Sequence, residues 1–369
     1  LDSVKHHLKM LQAGFLAMDP GTGAIRTWIG GIDYITFPYD HVDYHAKRQV
    51  GSTFKPIVYT TALNKGISPC KYYKAELVAY EDEEGEWTPE NYDADYEGKY
   101  SMEGALEGSV NTVSVKILND AGIDNTVEMA HDLGINTDIP EVPSIVLGTP
   151  SVSLIEMVTA YSTMTNGGYS VEPYIIESIE TMQGEVLYMK EPAEADRVIS
   201  SETSRMITYL LQNVINDGTG SSLRSVYQLD NDLGGKTGTT QGNADGWFIG
   251  VSPRLVAGAW VGGIYPSISF KSSRYGQGAV MALPIFGQYF ASINEDRAYS
   301  RISNVRYVAL DQSLKSRLDC DPFKEDFRFF EWLFGKRKKQ QKHEESTETE
   351  PAQKENVFKK IGKIFKKKK

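Results

Sequence analysis

Three short strings of polar residues have the types and spacing for joint chemistry. They are Ser52-Thr53-Phe54-Lys55, Ser109-Val110-Asn111 and Lys236-Thr237-Gly238-Thr239. In the first string a hydroxyl and an amine lie three residues apart, so on a helix they share one face, with Cβ atoms about 5–6 Å apart. A serine hydroxyl is a poor nucleophile unless an adjacent base takes its proton. Lysine is such a base only when burial or a nearby cation lowers its pKa, and Lys236 is a candidate for that cation. Together the strings predict serine acyl transfer in one shared cleft.

Each string taken alone also fits a plain structural role. A serine three residues before a lysine occurs at many helix starts, Ser109-x-Asn111 fits a polar turn, and Lys236-Thr237-Gly238 fits a Gly/Thr loop. Each string occurs once, and their order and separation let one fold bring them together. The combination therefore favours an active site over three unrelated local features.

A helix is predicted to position the first string. Gly51 allows the chain to turn sharply before a helix, Pro56 fits a helix only near its first turn, and Gly66 is typical of a helix C-terminus. These residues predict a helix over residues 52–65. Ser52 then lies at or near the helix N-terminus. Free N–H groups and the helix dipole favour a developing negative charge there.

Two hairpins with helical segments between them predict the fold class. Apolar-rich runs flank turn residues at 15–19 with 24–29 and at 247–251 with 255–261. Residues 101–119 and 151–165 show apolar positions at helical spacing. Lys236 falls just before the second hairpin, which places its string on a strand bordering the cleft. The pattern predicts one α+β domain whose sheet joins N- and C-terminal segments.

Length and charge limit the class of protein. A chain of 369 residues can form one large domain or two ordinary ones, and it has no run of about 18 apolar residues that would span a membrane. The net charge is −10, but residues 336–369 hold 13 Lys/Arg against 5 Glu, which leaves 26 basic against 44 acidic residues elsewhere. This asymmetry marks a basic tail, so no nucleic-acid partner is expected. Residues 81–86 are predicted to be a solvated acidic loop.

The two cysteines give no metal-binding spacing. Cys70 and Cys320 fit a single disulfide in an oxidising compartment and two unrelated buried thiols equally well. The sequence therefore leaves their state open.

The C-terminal part differs in composition from the rest. An aromatic cluster at 327–334 is expected to pack against the domain rather than to contact a membrane or partner, and the composition of 336–353 predicts disorder. If residues 356–369 form a helix, apolar side chains lie on one side of it and lysines on the other. This pattern fits two interpretations equally well: an interfacial helix on anionic lipid or polymer, and a solvated basic tail. We expect a linker remnant at 1–13, a catalytic domain at 14–300, an extension at 301–335 and a charged tail at 336–369.

With these residues laid out, the chain resembles the transpeptidase domain of class A penicillin-binding proteins over roughly residues 12–290. The likeness rests on motifs that surround and include the three strings: Asp19-Pro20-x-Thr22-Gly23, Gly30-Gly31, Arg48-Gln49-x-Gly51-Ser52-Thr53-Phe54-Lys55-Pro56, Pro89-x-Asn91-Tyr92, Ala105-Leu106-x-x-Ser109-x-Asn111-Thr112, Met157-x-x-Ala160-Tyr161, Asn166-Gly167-Gly168, Gly235-Lys236-Thr237-Gly238-Thr239-Thr240 and Asp245-x-Trp247-Phe248-x-Gly250. The resemblance implies a serine β-lactamase-like fold, in which helices flank an antiparallel five-stranded sheet. It implies no cofactor and no metal ion.

The resemblance also implies a role for each site residue. Ser52 would be the acylated nucleophile, Lys55 its base, and Ser109 a proton relay toward the leaving amine. The backbone N–H groups of Ser52 and Thr239 would form the oxyanion hole. The other implied roles are an amide-binding side chain at Asn111, positive potential from Lys236, carboxylate-binding hydroxyls at Thr237 and Thr239, and further substrate contacts at Gly238 and Thr240.

The implied reaction is peptidoglycan cross-linking on the outer side of the cytoplasmic membrane. Ser52 would take an acyl group from D-Ala-D-Ala stem peptides, pass it to an amine of a neighbouring stem, and be acylated by β-lactams. Full-length class A proteins carry a membrane anchor and a glycosyltransferase domain ahead of this one, so we expect a fragment of such a protein. Other cell-wall synthesis proteins are candidate partners.

Three alternative functions use the same residues. A D,D-carboxypeptidase would hydrolyse the acyl-enzyme, and a non-catalytic module would sense β-lactams or act as a scaffold. A class A β-lactamase needs a glutamate that activates water, and Glu156-Met157-Val158-Thr159-Ala160 lacks that family's Glu-x-x-Leu-Asn pattern. The helical apolar spacing around Glu156 favours a structural role for it instead.

Overall fold

The computed structural model of the protein describes residues 8–82, 85–191 and 194–325. The predicted tail at 336–369, the aromatic cluster at 327–334 and the first seven residues lie outside the described residues. No helix within the described ranges is long and apolar enough to cross a lipid bilayer.

Fourteen strands are found in the described residues: β1 Gln12–Met18, β2 Ile25–Ile29, β3 Arg48–Gln49, β4 Tyr73–Lys74, β5 Tyr80–Asp82, β6 Gly85–Trp87, β7 Lys99–Tyr100, β8 Ser151–Val152, β9 Ser178–Glu180, β10 Val186–Met189, β11 Gly234–Thr239, β12 Asp245–Val251, β13 Val256–Gly262 and β14 Phe323–Lys324. The α-helices of the same residues are α1 Lys55–Asn64, α2 Met102–Glu107, α3 Asn111–Ala121, α4 Ile123–Asp132, α5 Leu154–Thr165, α6 Ser201–Asn216, α7 Ser222–Ser225, α8 Ser273–Gly276, α9 Gly278–Met281, α10 Leu283–Glu295, α11 Ser300–Ser303 and α12 Gln312–Leu318. Short 3₁₀ turns lie at Gly51–Phe54, Pro143–Leu147, Gln241–Asn243 and Arg297–Tyr299.

The main sheet joins the two ends of the domain. Its five strands are antiparallel in the order β11-β12-β13-β1-β2. Strand β1 pairs with β13 along its whole length, so that Gln12 lies opposite Gly262 and Met18 lies opposite Val256. Both predicted hairpins are present, as β1–β2 and β12–β13. The prediction of an α+β domain with an antiparallel five-stranded sheet from N- and C-terminal segments is confirmed.

Two hydrophobic cores lie on opposite faces of this sheet. Along β1, Leu16 and Met18 join the larger core, which α1, α5 and α6 help to build, while Phe15 and Ala17 face a smaller core with Phe286 of α10. Successive side chains of a strand point to opposite faces, so an almost continuous apolar run is expected when both faces are buried. The sheet is therefore a rigid central layer whose edge strand β11 carries the third string.

The helical stretch predicted over 101–119 is interrupted in the structure. It forms α2 and α3, separated at Gly108-Ser109-Val110, and Ser109 has a φ of 53°. The apolar spacing persists across the break, so periodicity alone does not reveal it. The second string thus lies at a bend between two helices.

The residues after 300 pack against the domain as far as the structure describes them. Leu314 and Leu318 of α12 are buried in the larger core, and β14 pairs with β7 in a small sheet ordered β14-β7-β4. Cys70 and Cys320, which are 250 residues apart, form a disulfide. The described chain up to Glu325 forms one compact unit.

Candidate active site

The entry to α1 places Ser52 against strand β11. Ser52 lies in the 3₁₀ turn that runs directly into α1, and Gly51 before it has a φ of +55°. A Cβ atom on Gly51 would lie 2.7 Å from the carbonyl oxygen of Thr239, so only glycine fits at this crossing. The nucleophile candidate and the end of β11 are therefore held in direct contact.

Lys55 connects the first two strings. Its side chain is fully buried, and its Nζ donates to the carbonyl oxygen of Ser109 at 2.7 Å, to Ser109 Oγ at 3.1 Å and to Asn111 Oδ1 at 2.7 Å. These contacts stabilise the bend between α2 and α3 and the positive φ of Ser109. Lys55 therefore ties the bend to α1.

Lys236 reaches the same serine from the other side of the cleft. Its Nζ donates to Ser109 Oγ at 3.0 Å and to the carbonyl oxygen of Thr237 at 3.1 Å, and its side chain is also fully buried. Two lysine nitrogens thus converge on one hydroxyl oxygen. The geometry links all three strings through Ser109.

Burial changes the protonation of both lysines. Burial, and secondly the charge of Lys236, hold the pKa of Lys55 well below its ordinary value. Burial lowers the pKa of Lys236 to about 7. An ammonium group loses its hydration when it is buried, so the neutral amine is favoured. Burial therefore shifts Lys55 toward its neutral amine form, and it lowers the pKa of the neighbouring Lys236 into the neutral range.

The threonines at the end of β11 are fixed by their neighbours. Thr237 Oγ1 shares a hydrogen bond with Thr219 Oγ1 at 2.9 Å, and the N–H of Gly278 donates to Thr239 Oγ1 at 3.1 Å. Because Thr239 accepts this bond, its own hydroxyl hydrogen is available for a ligand. The strand presents two oriented hydroxyl groups toward the cleft.

A cleft of about 550 Å³ runs between these elements. Six of the nine predicted site residues line it, namely Ser52, Ser109, Asn111, Thr237, Thr239 and Thr240. Lys55 and Lys236 lie buried behind its surface, and Gly238 lies within β11 between two of the lining threonines. The structure thus brings the predicted site residues together. Their individual roles remain predictions.

Several residues orient the site although the motifs that contain or adjoin them predict no role for them. The carbonyl oxygen of Glu90 accepts a hydrogen bond from Asn111 Nδ2 at 2.7 Å. The carboxylate of Asp245 accepts a hydrogen bond from Arg48 at 2.7 Å, and the backbone N–H of Asp245 donates to Thr240 Oγ1 at 2.9 Å. A charged residue within an otherwise apolar strand, as at Asp245, is the sequence signal that marks such a group. Nothing in the sequence marks the contact through the Glu90 carbonyl.

The side chain of Glu156 has structural contacts at the start of α5. Its carboxylate is 2% exposed and accepts hydrogen bonds from the N–H of Asn136, from the N–H and hydroxyl of Thr137, and from the N–H and hydroxyl of Ser153. Ser153 and Glu156 form a capping box at the start of α5. Because its oxygens are occupied and enclosed, the geometry of this carboxylate favours a structural role, as the sequence pattern predicts.

Comparison with known proteins gives the family. The profile described as "Penicillin binding protein transpeptidase domain" matches residues 13–261. Penicillin-binding protein 1A of Pseudomonas aeruginosa is 31% identical over 338 residues, which cover 78% of this chain and 40% of that protein. Penicillin-binding protein 2D of Bacillus subtilis is 36% identical over 260 residues, which cover 68% of this chain and 37% of that protein. The chain therefore spans about 40% of the length of these curated relatives.

Solved structures agree with this assignment. The crystal structure of penicillin-binding protein 1A from Haemophilus influenzae superposes with a TM-score of 0.75 at 25% identity, over 82% of this chain and 49% of that chain. The PonA1 protein from Mycobacterium tuberculosis, solved in complex with penicillin V, gives a TM-score of 0.64 at 21% identity, over 78% of this chain and 81% of that chain, and so supports the fold. The serine β-lactamase-like fold expected from the motifs is confirmed. This chain belongs to the penicillin-binding protein transpeptidase domain family.

Proposed function

We propose that this domain is a peptidoglycan D,D-transpeptidase that forms an acyl-enzyme on Ser52 from D-Ala-D-Ala stem peptides. The observation that carries the proposal is the convergence of Lys55 and Lys236 on Ser109 Oγ beside a cleft that Ser52 lines. A nucleophile, a base with a lowered pKa and a route for the proton are the groups that acyl transfer requires.

Acylation begins with attack by Ser52 Oγ on the carbonyl carbon of the penultimate D-alanine. The hydroxyl proton passes to the neutral amine of Lys55. The developing oxyanion accepts hydrogen bonds from the N–H groups of Ser52 and Thr239, and such donors are typically worth about 3–4 kcal/mol each. The C–N bond then breaks, and the leaving amine takes a proton through Ser109. The 3.1 Å contact between Lys55 Nζ and Ser109 Oγ supports this relay.

Substrate binding uses the edges of the same cleft. Asn111 holds the amide of the donor peptide, while Thr237 and Thr239 bind its terminal carboxylate through their hydroxyl groups. Lys236 in its charged form supplies positive potential to that carboxylate, and Gly238 and Thr240 complete the strand against which the peptide lies. The bond from Gly278 to Thr239 supports this assignment, since it leaves the threonine hydroxyl hydrogen free to donate.

Transfer is completed by an amine of a second stem peptide, which attacks the acyl carbon and regenerates the Ser52 hydroxyl. A β-lactam acylates Ser52 in the same way, but no amine is then delivered and water is poorly activated. The carboxylate of Glu156 is buried and accepts hydrogen bonds from its neighbours, so it is poorly placed to activate water. This supports slow hydrolysis of the β-lactam adduct. β-Lactams should therefore leave a long-lived adduct.

The wider setting is proposed on the same basis. The transpeptidase domain at 14–300, with its extension at 301–335 and tail at 336–369, would be part of a bifunctional glycosyltransferase/transpeptidase on the outer side of the cytoplasmic membrane. Cell-wall synthesis proteins would be its partners. Residues 356–369 would bind anionic lipid or wall polymer, and equal sedimentation with anionic liposomes with and without these residues would contradict the lipid interaction.

The test of the proposal is the intact mass of the protein after incubation with a penicillin. Wild type should gain one penicillin mass that persists, and Ser52→Ala should gain none while keeping its circular dichroism spectrum. No adduct on folded wild type would contradict the proposal.

A second assay separates the candidate activities. A D-Ala-D-Ala pentapeptide with an amine acceptor should give a cross-linked product on wild type. Hydrolysis alone would indicate a carboxypeptidase, and an adduct without peptide turnover would indicate a sensor or scaffold.

A further inference from the structure

The Cys70–Cys320 disulfide fixes a segment that we name the C-terminal strap, residues 319–324. Cys70 lies in the loop between α1 and β4, and Cys320 follows α12. Both cysteines are partly exposed. They are the only two cysteines of the chain, so a reductant that cleaves a disulfide acts only here.

The residues adjoining the two cysteines hold the first turn of α2. The carbonyl oxygen of Pro69, next to Cys70, accepts from the N–H of Met102 at 3.0 Å. The carbonyl oxygen of Pro322 in the strap accepts from the N–H of Ser101, the N-cap of α2, at 3.1 Å. The bridge thus joins the two chain segments that bind the start of this helix.

Packing between the strap and α2 is close. A Cβ atom on Gly104, one turn into α2, would lie 2.2 Å from the carbonyl oxygen of Pro322. On the preceding strand, Tyr100 pairs with Phe323, and Tyr72 donates its hydroxyl to the carbonyl oxygen of Asp321 at 2.7 Å. Movement of the strap therefore moves the start of α2.

Helix α2 carries such movement to the cleft. It has only six residues, and Ser109 follows it by two positions. Ser109 Oγ must remain within hydrogen-bond distance of both Lys55 Nζ and Lys236 Nζ. A rigid helix transmits a shift at one end to the other, so the position of the strap contributes to the position of this hydroxyl, together with the two lysines.

The noncovalent contacts that hold the strap lie close to the protein surface. Its strand pairing with β7 is two residues long, with β14 exposed and β7 half-buried. The ion pair Arg317–Glu202 before it is exposed, and Arg205–Asp311 is partly exposed. Exposed ion pairs contribute about 0–1 kcal/mol each. Segments with few buried contacts open locally without global unfolding. The disulfide is the covalent link that resists such opening.

We propose that the Cys70–Cys320 bridge is a positioning device for Ser109, so that reduction of the bridge slows acylation of Ser52 while the domain stays folded. This inference rests on the proposed function, because it assigns Ser109 to the acylation step. It makes the rate of acylation dependent on the redox state of two residues outside the cleft.

The experiment compares the second-order rate of acylation by a fluorescent penicillin for the oxidised and the reduced full chain, at a temperature where circular dichroism shows both folded. Reduction should slow acylation by about ten- to a hundredfold, the loss that a misplacement of about 1 Å causes. Reoxidation should restore the rate. The Cys70→Ser/Cys320→Ser variant should have the slow rate with and without reductant.

Two further variants separate positioning from stability. Leu314→Ala removes a buried contact of α12 outside the strap, so it should lower the unfolding midpoint but keep the oxidised rate. Gly104→Ala forces α2 away from Pro322 with the bridge intact, and it should slow acylation as reduction does. This variant tests the inference even if the double serine variant does not fold.

The outcomes are distinguishable. Equal rates for oxidised and reduced protein, or an equal loss in Leu314→Ala, would overturn the positioning role and leave the transpeptidase proposal standing. No adduct on the oxidised wild type would overturn the proposed function and this inference together.

Discussion

The guanidinium Nε of Arg48 donates to Asp245 Oδ1 at 2.7 Å, although the two residues are 197 positions apart in the chain. Both side chains are largely buried, at 13% and 4% exposure. Asp245 also accepts from the indole N–H of Trp260 at 3.0 Å and contacts Thr240. The pair therefore joins β3, which leads to Ser52, to the start of β12, the strand that follows the third string.

Removing one partner of this pair should destabilise the domain. Asp245→Ala leaves a buried guanidinium without its counter-charge, which typically costs about 3–5 kcal/mol of unfolding free energy. Chemical denaturation measures this loss. Arg26→Ala is the matched control, because its pair with Asp19 is exposed and should contribute less than about 1 kcal/mol. Similar losses in both variants would show that the buried pair has no special structural role.

Acylation should have a bell-shaped pH dependence. In the proposed mechanism the rate rises with pH as Lys55 becomes neutral, because only a neutral amine can take the Ser52 proton, and burial keeps the pKa of Lys55 well below its ordinary value. The rate should fall above a pKa of about 7, where Lys236 loses the charge that is proposed to attract the substrate carboxylate. Stopped-flow rates with a fluorescent penicillin from pH 5 to pH 9, corrected for spontaneous β-lactam hydrolysis, give this profile.

The matched variant for this profile is Lys236→Arg. An arginine stays charged over the whole range, so the falling limb should disappear while the rising limb remains. A rate that keeps rising to pH 9 in wild type would mean that the charge of Lys236 is not needed.

Glu156→Ala should affect stability and not adduct lifetime. The substitution leaves at least four donors around Asn136, Thr137 and Ser153 without their acceptor, and buried donors without partners cost about 1–3 kcal/mol each before relaxation. The unfolding midpoint should therefore fall by several degrees or more. The half-life of the penicillin adduct, followed by mass at a temperature below that midpoint, should equal that of wild type. A longer-lived adduct would instead assign Glu156 to deacylation.

His41 should make the domain sensitive to acid. Burial, and secondly the nearby Arg48, lower the pKa of His41 to about 4 from 6.5, while Asp40 opposes this shift. Between these values the unfolded chain binds a proton that the folded protein does not, so the free energy of unfolding falls as the pH falls from 6.5 toward 4. Urea denaturation at pH 7 and pH 5 should show a loss on the order of 1 kcal/mol from this group.

The variant for this prediction is His41→Phe, which keeps an aromatic ring stacked on Trp260. Its free energy of unfolding should fall less than that of wild type between pH 7 and pH 5. His45→Phe, at an exposed ring, controls for the loss of a histidine as such. If His41→Phe were as acid-sensitive as wild type, other groups would be responsible.

The sheet was predictable because local signals agree with the tertiary structure. Turn residues at 20–23 separate apolar runs, and both runs become neighbouring strands, β1 and β2. The break at Ser109 was not predictable, since apolar spacing continues on both sides and the bend depends on lysines that are 54 and 127 positions away. The state of the cysteines likewise depends on where the C-terminal strap packs, which no local pattern specifies. The local spacing of apolar residues predicts the helices and strands, whereas the residues that orient the site contact it from distant parts of the chain.

The pairing of β1 with β13 has a consequence for biosynthesis. Because β1 is made first and its partner follows only after most of the domain, the central sheet cannot close until residue 262 has left the ribosome. Sheets that depend on such distant pairing fold slowly, and their unpaired edges are prone to aggregate while they wait. A nascent chain that stops short of β13 should therefore need a holding chaperone. The order in which the strands are made turns the synthesis of β13 into the step that commits this domain to its fold.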